Sequence, residues 1–392
     1  MRIEAVDFFY LAMPQILDIG DGSQDLLLVR VQAGSHVGWG ECEASPLVTI
    51  ASLVCPMSHS ACKPVRDAVL GQRLESPEDI ARIGDAVREQ SLDLLQADHA
   101  LSGIDIAMWD LIGKKLDAPV YQLLGDDRAV AKTPYASQLF GDTAEETFVR
   151  AQRVRAAGYT AAKFGWGPFG RGTVEADVAQ VRAAREGLGD DGTLLIDAGT
   201  IWRDVASAQQ RLDVLKECRV TFLEEPFPGE DFEAHRELAS LASPVKLAGG
   251  EGCHTEHQAR QMIDHSGIGY IQIDAGRIGG ITPARAVAEY AQARRVTYVN
   301  HTFTSHLALS ASLQPYAGSR DDTLCEYPVE PKPLAVEVTK NHLLPDANGQ
   351  INLPERPGLG IDIDLDAARR YLLDVEITVS GRTLYRTPEL KE

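Results

Sequence analysis

Three acidic residues, each closing a short apolar run, recur at equal intervals in the middle of the chain. The runs are Leu194 to Asp197, Thr221 to Glu224 and Lys246 to Glu251, and successive acids lie 27 residues apart. A βα unit of a parallel barrel takes roughly that length. The spacing therefore places the acids at the C-terminal ends of three consecutive parallel strands. Three carboxylates converging there repel one another and resist desolvation unless a cation sits between them. A set with oxygen donors alone favours a hard ion, and Mg²⁺ usually takes few protein carboxylates alongside waters and substrate oxygens.

The rest of the chain supplies the strands such a barrel needs. Apolar segments fall at Thr133 to Ser137, Ala161 to Phe164, Leu194 to Asp197, Thr221 to Glu224 and Val245 to Ala248. They continue at Tyr270 to Asp274, Thr297 to His301 and Thr323 to Glu326. Helical stretches such as Ala144 to Ala157 and Val174 to Gly187 lie between them, with Gly158 at a helix C-cap position. Eight strands alternating with helices imply an α/β fold with a closed parallel barrel.

With 392 residues, the chain has room for a barrel of ~250 residues and a second domain. Residues 1–128 read as an α+β block. Its first forty residues are strand-like, a long loop runs from Ser45 to Cys62, a helix opens at Pro77 with Ser76 as N-cap, and another spans His99 to Lys114. In that last helix Leu101, Ile104, Met108 and Leu111 share one face. The barrel then covers 129–330. Residues 331–392 form a return segment, whose Val375 to Val379 reads as a strand rejoining the first block.

The formal net charge of -19 argues against nucleic acid or an anionic membrane surface as the main partner. No apolar run approaches the ~18 residues that span a bilayer, and residues 1–7 lack the pattern of a secretory signal. Six cysteines without a paired motif suit a reducing cytosol, so a cytoplasmic location is expected. Cys55 and Cys62 flank His59, but no fourth ligand accompanies them, and a zinc site is not expected.

The strand ends form a ring of Lys163, Asp197, Glu224, Glu251, Asp274, His301 and Glu326. Catalytic groups in such barrels come from this face. Asp274 and His301 are again 27 residues apart, so a carboxylate on one strand can fix the imidazole tautomer on the next and raise its basicity. Glu326 is expected across from the metal as a protonated hydrogen-bond donor, and Lys163 follows two alanines that leave its ammonium room to reach the centre. Together the ring suggests removal of the proton next to a carboxylate, with Mg²⁺ on the carboxylate stabilising the enediolate and His301 as base.

At this point the residues resemble a family. The chain is similar over essentially its full length to the enolase superfamily, in its mandelate racemase subgroup. The resemblance rests on Ser102 to Asp110, Asp197-Ala-Gly, Glu224-Glu225-Pro226, Gly249-Gly-Glu251, Asp274 to Gly280, His301-Thr-Phe and Glu326-Tyr-Pro. It implies a capping α+β domain built from both chain ends over a modified (β/α)₇β barrel. It also implies Mg²⁺ on Asp197, Glu224 and Glu251, a His301–Asp274 base, Glu326 as hydrogen-bond donor, a small-molecule carboxylate substrate and assembly into a homo-oligomer.

Two departures shape the expectation. Where the family carries Lys-x-Lys, this chain reads Lys163-Phe164-Gly165, so the second-face base is missing and Lys163 matches the lysine that assists the substrate carboxylate. Gly199 stands where many relatives place an Asn, close in sequence to the bulky Phe164 to Phe169 segment. One-base chemistry remains, and the expected activity is a lyase reaction: dehydration of an aldonate or aldarate to a 2-keto-3-deoxy acid. An epimerase, racemase or cycloisomerase would need a base from elsewhere, such as Tyr135 or His59. A member that binds metal and ligand without turnover is the alternative from a different class. His59, Trp166, Cys253 and His254 are further pocket candidates.

Overall fold

The computed structural model describes residues 1–391. Its first sheet is antiparallel, with β1 (Ile3–Ala12), β2 (Asp25–Ala33) and β3 (His36–Cys42) in that order. The helix Ala97–Leu116 lies directly on β3. Gly38 and Gly40 allow this, because a Cβ at either would run into the backbone carbonyl of Ala107 or Gly103. The four apolar residues expected on one face are fully buried, but so are Ser102, Asp105 and Asp110. Those polar groups are docking points. Ser102 Oγ accepts from Gly279 N (2.8 Å), and Asp105 accepts from Thr282 N (3.1 Å) and Thr282 Oγ1 (2.5 Å). Asp110 accepts from Trp39 N (2.9 Å) and Leu359 N (3.0 Å). The helix is thus the seam between cap and barrel, and each buried oxygen has its donor.

The stretch from Ser45 to Cys62 is not loop throughout. Pro46–Val54 is a helix with Pro at its start, burying Ile50, Leu53 and Val54. Proline is well placed in a first helical turn, where its missing N–H costs nothing.

The eight barrel strands are β4 (Thr133–Leu139), β5 (Ala161–Gly165), β6 (Thr193–Asp197), β7 (Val220–Glu224), β8 (Lys246–Gly249), β9 (Tyr270–Asp274), β10 (Thr297–His301) and β11 (Leu324–Pro328). They form one parallel sheet in the order β10-β9-β8-β7-β6-β5-β4-β11. Helical crossovers connect β4 through to β11, and none follows β11 before the return segment, which is a (β/α)₇β arrangement. Side chains join the two ends of the ladder. Asn300 on β10 accepts from Glu326 N (3.0 Å) and donates to Glu326 O (3.4 Å), and Tyr316 Oη bridges Asn300 Oδ1 (2.8 Å) and Leu324 O (3.0 Å). Tyr135, Ala161, Leu195, Phe222, Ala248 and Val299 fill the barrel interior below the strand ends.

The C-terminal tail returns to the first sheet. Leu373 N donates to Tyr10 O (2.8 Å), and the Tyr385 hydroxyl donates to Phe8 O. The strand expected near 375–379 is β12 (Glu376–Val379). It pairs in a hairpin with β13 (Arg382–Arg386) and not with β1. No helix among the described residues is long and apolar enough to cross a membrane.

Candidate active site

The strand ends bring the ring together. Asp197 on β6 is the register partner of Glu224 on β7, and Asp274 on β9 is the partner of His301 on β10. Glu251 sits two residues beyond the end of β8, in the turn that follows. Two of the acids are fixed by the same local device. Asp197 Oδ1 accepts from Gly199 N (2.7 Å) and Asp274 Oδ1 from Gly276 N (2.6 Å), so each Asp-Ala-Gly segment turns around its own carboxylate.

A cavity of about 260 Å³ opens above these residues, bordered by Lys163, Asp197, Glu251, Arg277 and His301. His301 Nδ1 lies 2.6 Å from Asp274 Oδ2, which leaves Nε2 directed at Glu251 (3.2 Å). The imidazole therefore faces the acids. Burial disfavours its charged form, but Glu251, Glu43, Glu326 and Asp274 around it hold its pKa well above the ordinary value.

Lys163 is buried, with Nζ 2.8 Å from Glu224 and 2.7 Å from Glu326, and 3.8 Å from Asp197. Burial would strip its charge, but Glu224 and Glu326 push it well above the usual lysine value. Burial raises Asp197 to about 6 and Glu224 to about 8; Lys163 opposes both shifts, and the neighbouring acids reinforce them. Burial also acts on Glu251, yet His301 and Arg277 keep it below the normal range. Glu326 accepts from Ser137 Oγ (2.8 Å), Thr302 N (3.0 Å) and Lys163. Both of its oxygens thus have partners within the protein.

Two residues of this site were not singled out from the sequence. Glu43, from the loop after β3, is buried against Arg277 and lies 3.7 Å from His301 Nδ1. Arg277 spans Glu43 and Glu251 (3.2 Å) and approaches Asp274 at 3.8 Å. Burial raises Glu43 to about 8, with Asp274 adding to the shift and Arg277 opposing it. The sequence signal for Arg277 was its place three residues after Asp274. Glu43 carried no signal beyond being one of two acids in Glu41-Cys42-Glu43.

Other candidates fall elsewhere. Tyr135 is fully buried beneath the site, its ring 5.7 Å from Lys163 Nζ, and does not border the cavity. His59 is exposed and paired with Asp93 (3.1 Å). Trp166 borders the main cavity, Cys253 borders a smaller neighbouring cleft beside Glu225, and His254 is exposed.

The residues fit a divalent cation by chemistry. Asp197, Glu224, Glu251, Glu326, Glu43 and Asp274 crowd around three cationic groups, Lys163, Arg277 and His301. Among the described residues, the ligand atoms lying within 4.8 Å of one another belong to Glu43, Asp274 and His301. That cluster is already bridged by Arg277 and by the imidazole hydrogen bond. The oxygens of Asp197, Glu224 and Glu251 are instead turned towards Lys163, Arg277 and His301. They remain the oxygen-only set at three consecutive strand ends, with burial and mutual repulsion that a hard cation would offset.

Cap, barrel and site together define a class of capped barrel enzymes. Two family descriptions match the chain: "Enolase C-terminal domain-like" over residues 146–368, and "Mandelate racemase / muconate lactonizing enzyme, N-terminal domain" over 14–125. The chain belongs to the enolase superfamily, in its mandelate racemase subgroup. It is 31% identical to a D-galactarolactone cycloisomerase of Agrobacterium fabrum, over 88% of this chain and 90% of that protein. It is 28% identical to a D-gluconate dehydratase of Thermoproteus tenax, over 89% and 70%. The crystal structure of a predicted mandelate racemase from Rhodobacter sphaeroides is 56% identical, with a TM-score of 0.95 over 99% of this chain and 100% of that one.

Proposed function

We propose that the protein is a Mg²⁺-dependent acid-sugar dehydratase, a lyase that converts a polyhydroxy acid to its 2-keto-3-deoxy product. The observation that carries this reading is a single His–Asp pair facing the acids with, among the described residues, no free base opposite, since Lys163 is held by Glu224 and Glu326. At position 165, where a second-face lysine would stand, there is a glycine whose side-chain space is taken by Asp197. Tyr135 and His59 do not border the cavity. Inversion at the α-carbon needs a proton removed on one face and returned on the other. Elimination needs only one face.

Asp197, Glu224 and Glu251 would hold the Mg²⁺, which when bound offsets the charge that develops on the substrate carboxylate. Lys163 adds a fixed positive charge beside that carboxylate. Asp274 holds His301 with Nε2 towards the substrate, and Nε2 removes the α-proton. The resulting imidazolium returns a proton to the β-hydroxyl as its C–O bond breaks. One water is lost, and the enol product tautomerises to the 2-keto acid. His301 ends the cycle neutral.

A second reading, cycloisomerisation of a sugar lactone, is favoured by the likeness to the Agrobacterium fabrum protein. It starts with the same proton removal but expels a ring oxygen that stays in the product. A panel of aldonates, aldarates and lactones, incubated with Mg²⁺ in deuterated water, tests both. A 2-keto acid with loss of water supports the dehydratase. An isomer of unchanged formula supports the cycloisomerase. No exchange of any α-proton would defeat both.

A further inference from the structure

Charge is distributed unevenly around the cavity. At the strand ends every bordering cation is already engaged: Lys163 with Glu224 and Glu326, Arg277 with Glu43 and Glu251, and His301 with Asp274. Ile19, Leu139, Trp166 and Phe303 supply the apolar part of the lining. Ile19 and Trp166 are 44% and 39% exposed, so the mouth of the cavity lies beside them. The charged residue there is Asp21, an acid, and it is held by Ser23 N (2.9 Å) and by Lys332 at 3.4 Å. Among the described residues, no unpaired lysine, arginine or histidine borders the mouth.

Trp166 fixes the depth of this region. A Cβ on Gly20 would come within 2.8 Å of the indole, and one on Gly199 within 2.9 Å. The ring is therefore wedged between a loop of the cap and the turn after Asp197. Gly199, the departure from the family pattern, is what gives the indole its place. The cavity of about 260 Å³ lies below the range of roughly 300–1,000 Å³ typical of pockets for larger ligands.

We infer that the site takes a compact polyhydroxy acid with a single carboxylate, an aldonate or its lactone, and that Trp166 limits its chain length. This rests on the reading of the chain as an acid-sugar enzyme. A second carboxylate at the mouth would be desolvated against apolar walls, and the lysine beside Asp21, Lys332, is already committed to that acid. A chain of hydroxymethine groups meets no such penalty, because its C–H faces can lie on the indole.

The test uses matched acids that differ only at the terminal carbon: D-galactonate with D-galactarate, and D-gluconate with D-glucarate. Binding is read by tryptophan fluorescence with Mg²⁺ present, separately from α-proton exchange. At least tenfold tighter binding of the aldonate in a pair supports the inference, whether or not turnover follows. Equal or tighter binding of the aldarate overturns it and leaves the dehydratase reading standing. Binding without exchange in either pair defeats that reading alone. Trp166→Ala should narrow the preference for a hexonate over a heptonate at least tenfold, and an unchanged ratio overturns the role of the indole. Ile19→Arg, at an exposed position, should improve aldarate binding relative to aldonate at least tenfold. An unchanged ratio there counts against the charge argument.

Discussion

Gly165 and Asp197 are register partners on neighbouring strands, and a Cβ on Gly165 would lie 2.7 Å from Asp197 Cβ and 2.8 Å from one of its carboxylate oxygens. The missing second lysine is thus more than a lost base, because the acid occupies its space. Restoring the family residue with Gly165→Lys should displace Asp197 and not create a racemase. Mg²⁺ affinity, read by calorimetric titration, should fall about tenfold or more, as when the support of a metal ligand is disturbed. Racemisation with undiminished Mg²⁺ affinity would show that Asp197 has another position open to it.

The 2.6 Å contact between His301 Nδ1 and Asp274 predicts different outcomes for the two partners. His301→Asn should abolish α-proton exchange on any acid that the native protein exchanges. Asp274→Asn leaves an imidazole in place but no longer fixes its tautomer, and kcat should drop by about 10²–10⁴ with KM little changed. NMR in deuterated water reads exchange, and steady-state kinetics read the split. Exchange surviving in His301→Asn would reassign the base.

Glu43 reaches the site from the cap and holds Arg277, which in turn contacts Glu251. Glu43→Gln keeps the shape but replaces one of the carboxyl oxygens that can hold the guanidinium with an amide nitrogen that cannot accept from it. The expected result is a loss of roughly 10–100-fold in kcat/KM, the range for partners that orient metal ligands, with the melting temperature nearly unchanged. Unaltered kinetics would make Glu43 a structural link between cap and barrel only.

What the sequence made legible follows from burial. Strands covered on both faces read as continuous apolar runs, and β9 and β10 begin and end where those runs predict. The equal spacing then carried Asp197, Glu224, Asp274 and His301 to neighbouring strand ends. Glu251 lies in a turn because β8 stops at Gly249, an offset the spacing alone does not reveal. Glu43 was illegible, since it meets Asp274 and Arg277 only through the docking of cap on barrel. The docking roles of Ser102, Asp105 and Asp110 were illegible for the same reason. Their partners, among them Gly279, Thr282 and Leu359, lie far along the chain. Pro46 and Pro56 suggested a loop, although a proline at the start of a helix fits as well as one within a turn.

His306 gives a pH dependence away from the acids of the active site. Its ring lies 4.6 Å from that of His342, and its Nδ1 accepts from Leu343 N at 3.3 Å. Burial, with His342 adding to it, lowers its pKa to about 4. In the unfolded chain the same group titrates near 6.5. Between those values the unfolded state binds the extra proton, so stability is full above about pH 6.5 and falls as the pH drops towards 4. The loss should be on the order of 2 kcal/mol, after allowing for solvent reaching a partly buried ring. His306→Phe cannot take up the proton in either state and should flatten this part of the profile. Thermal midpoints measured from pH 7 to pH 4 for both proteins check it. Parallel profiles would place the acid-labile group elsewhere.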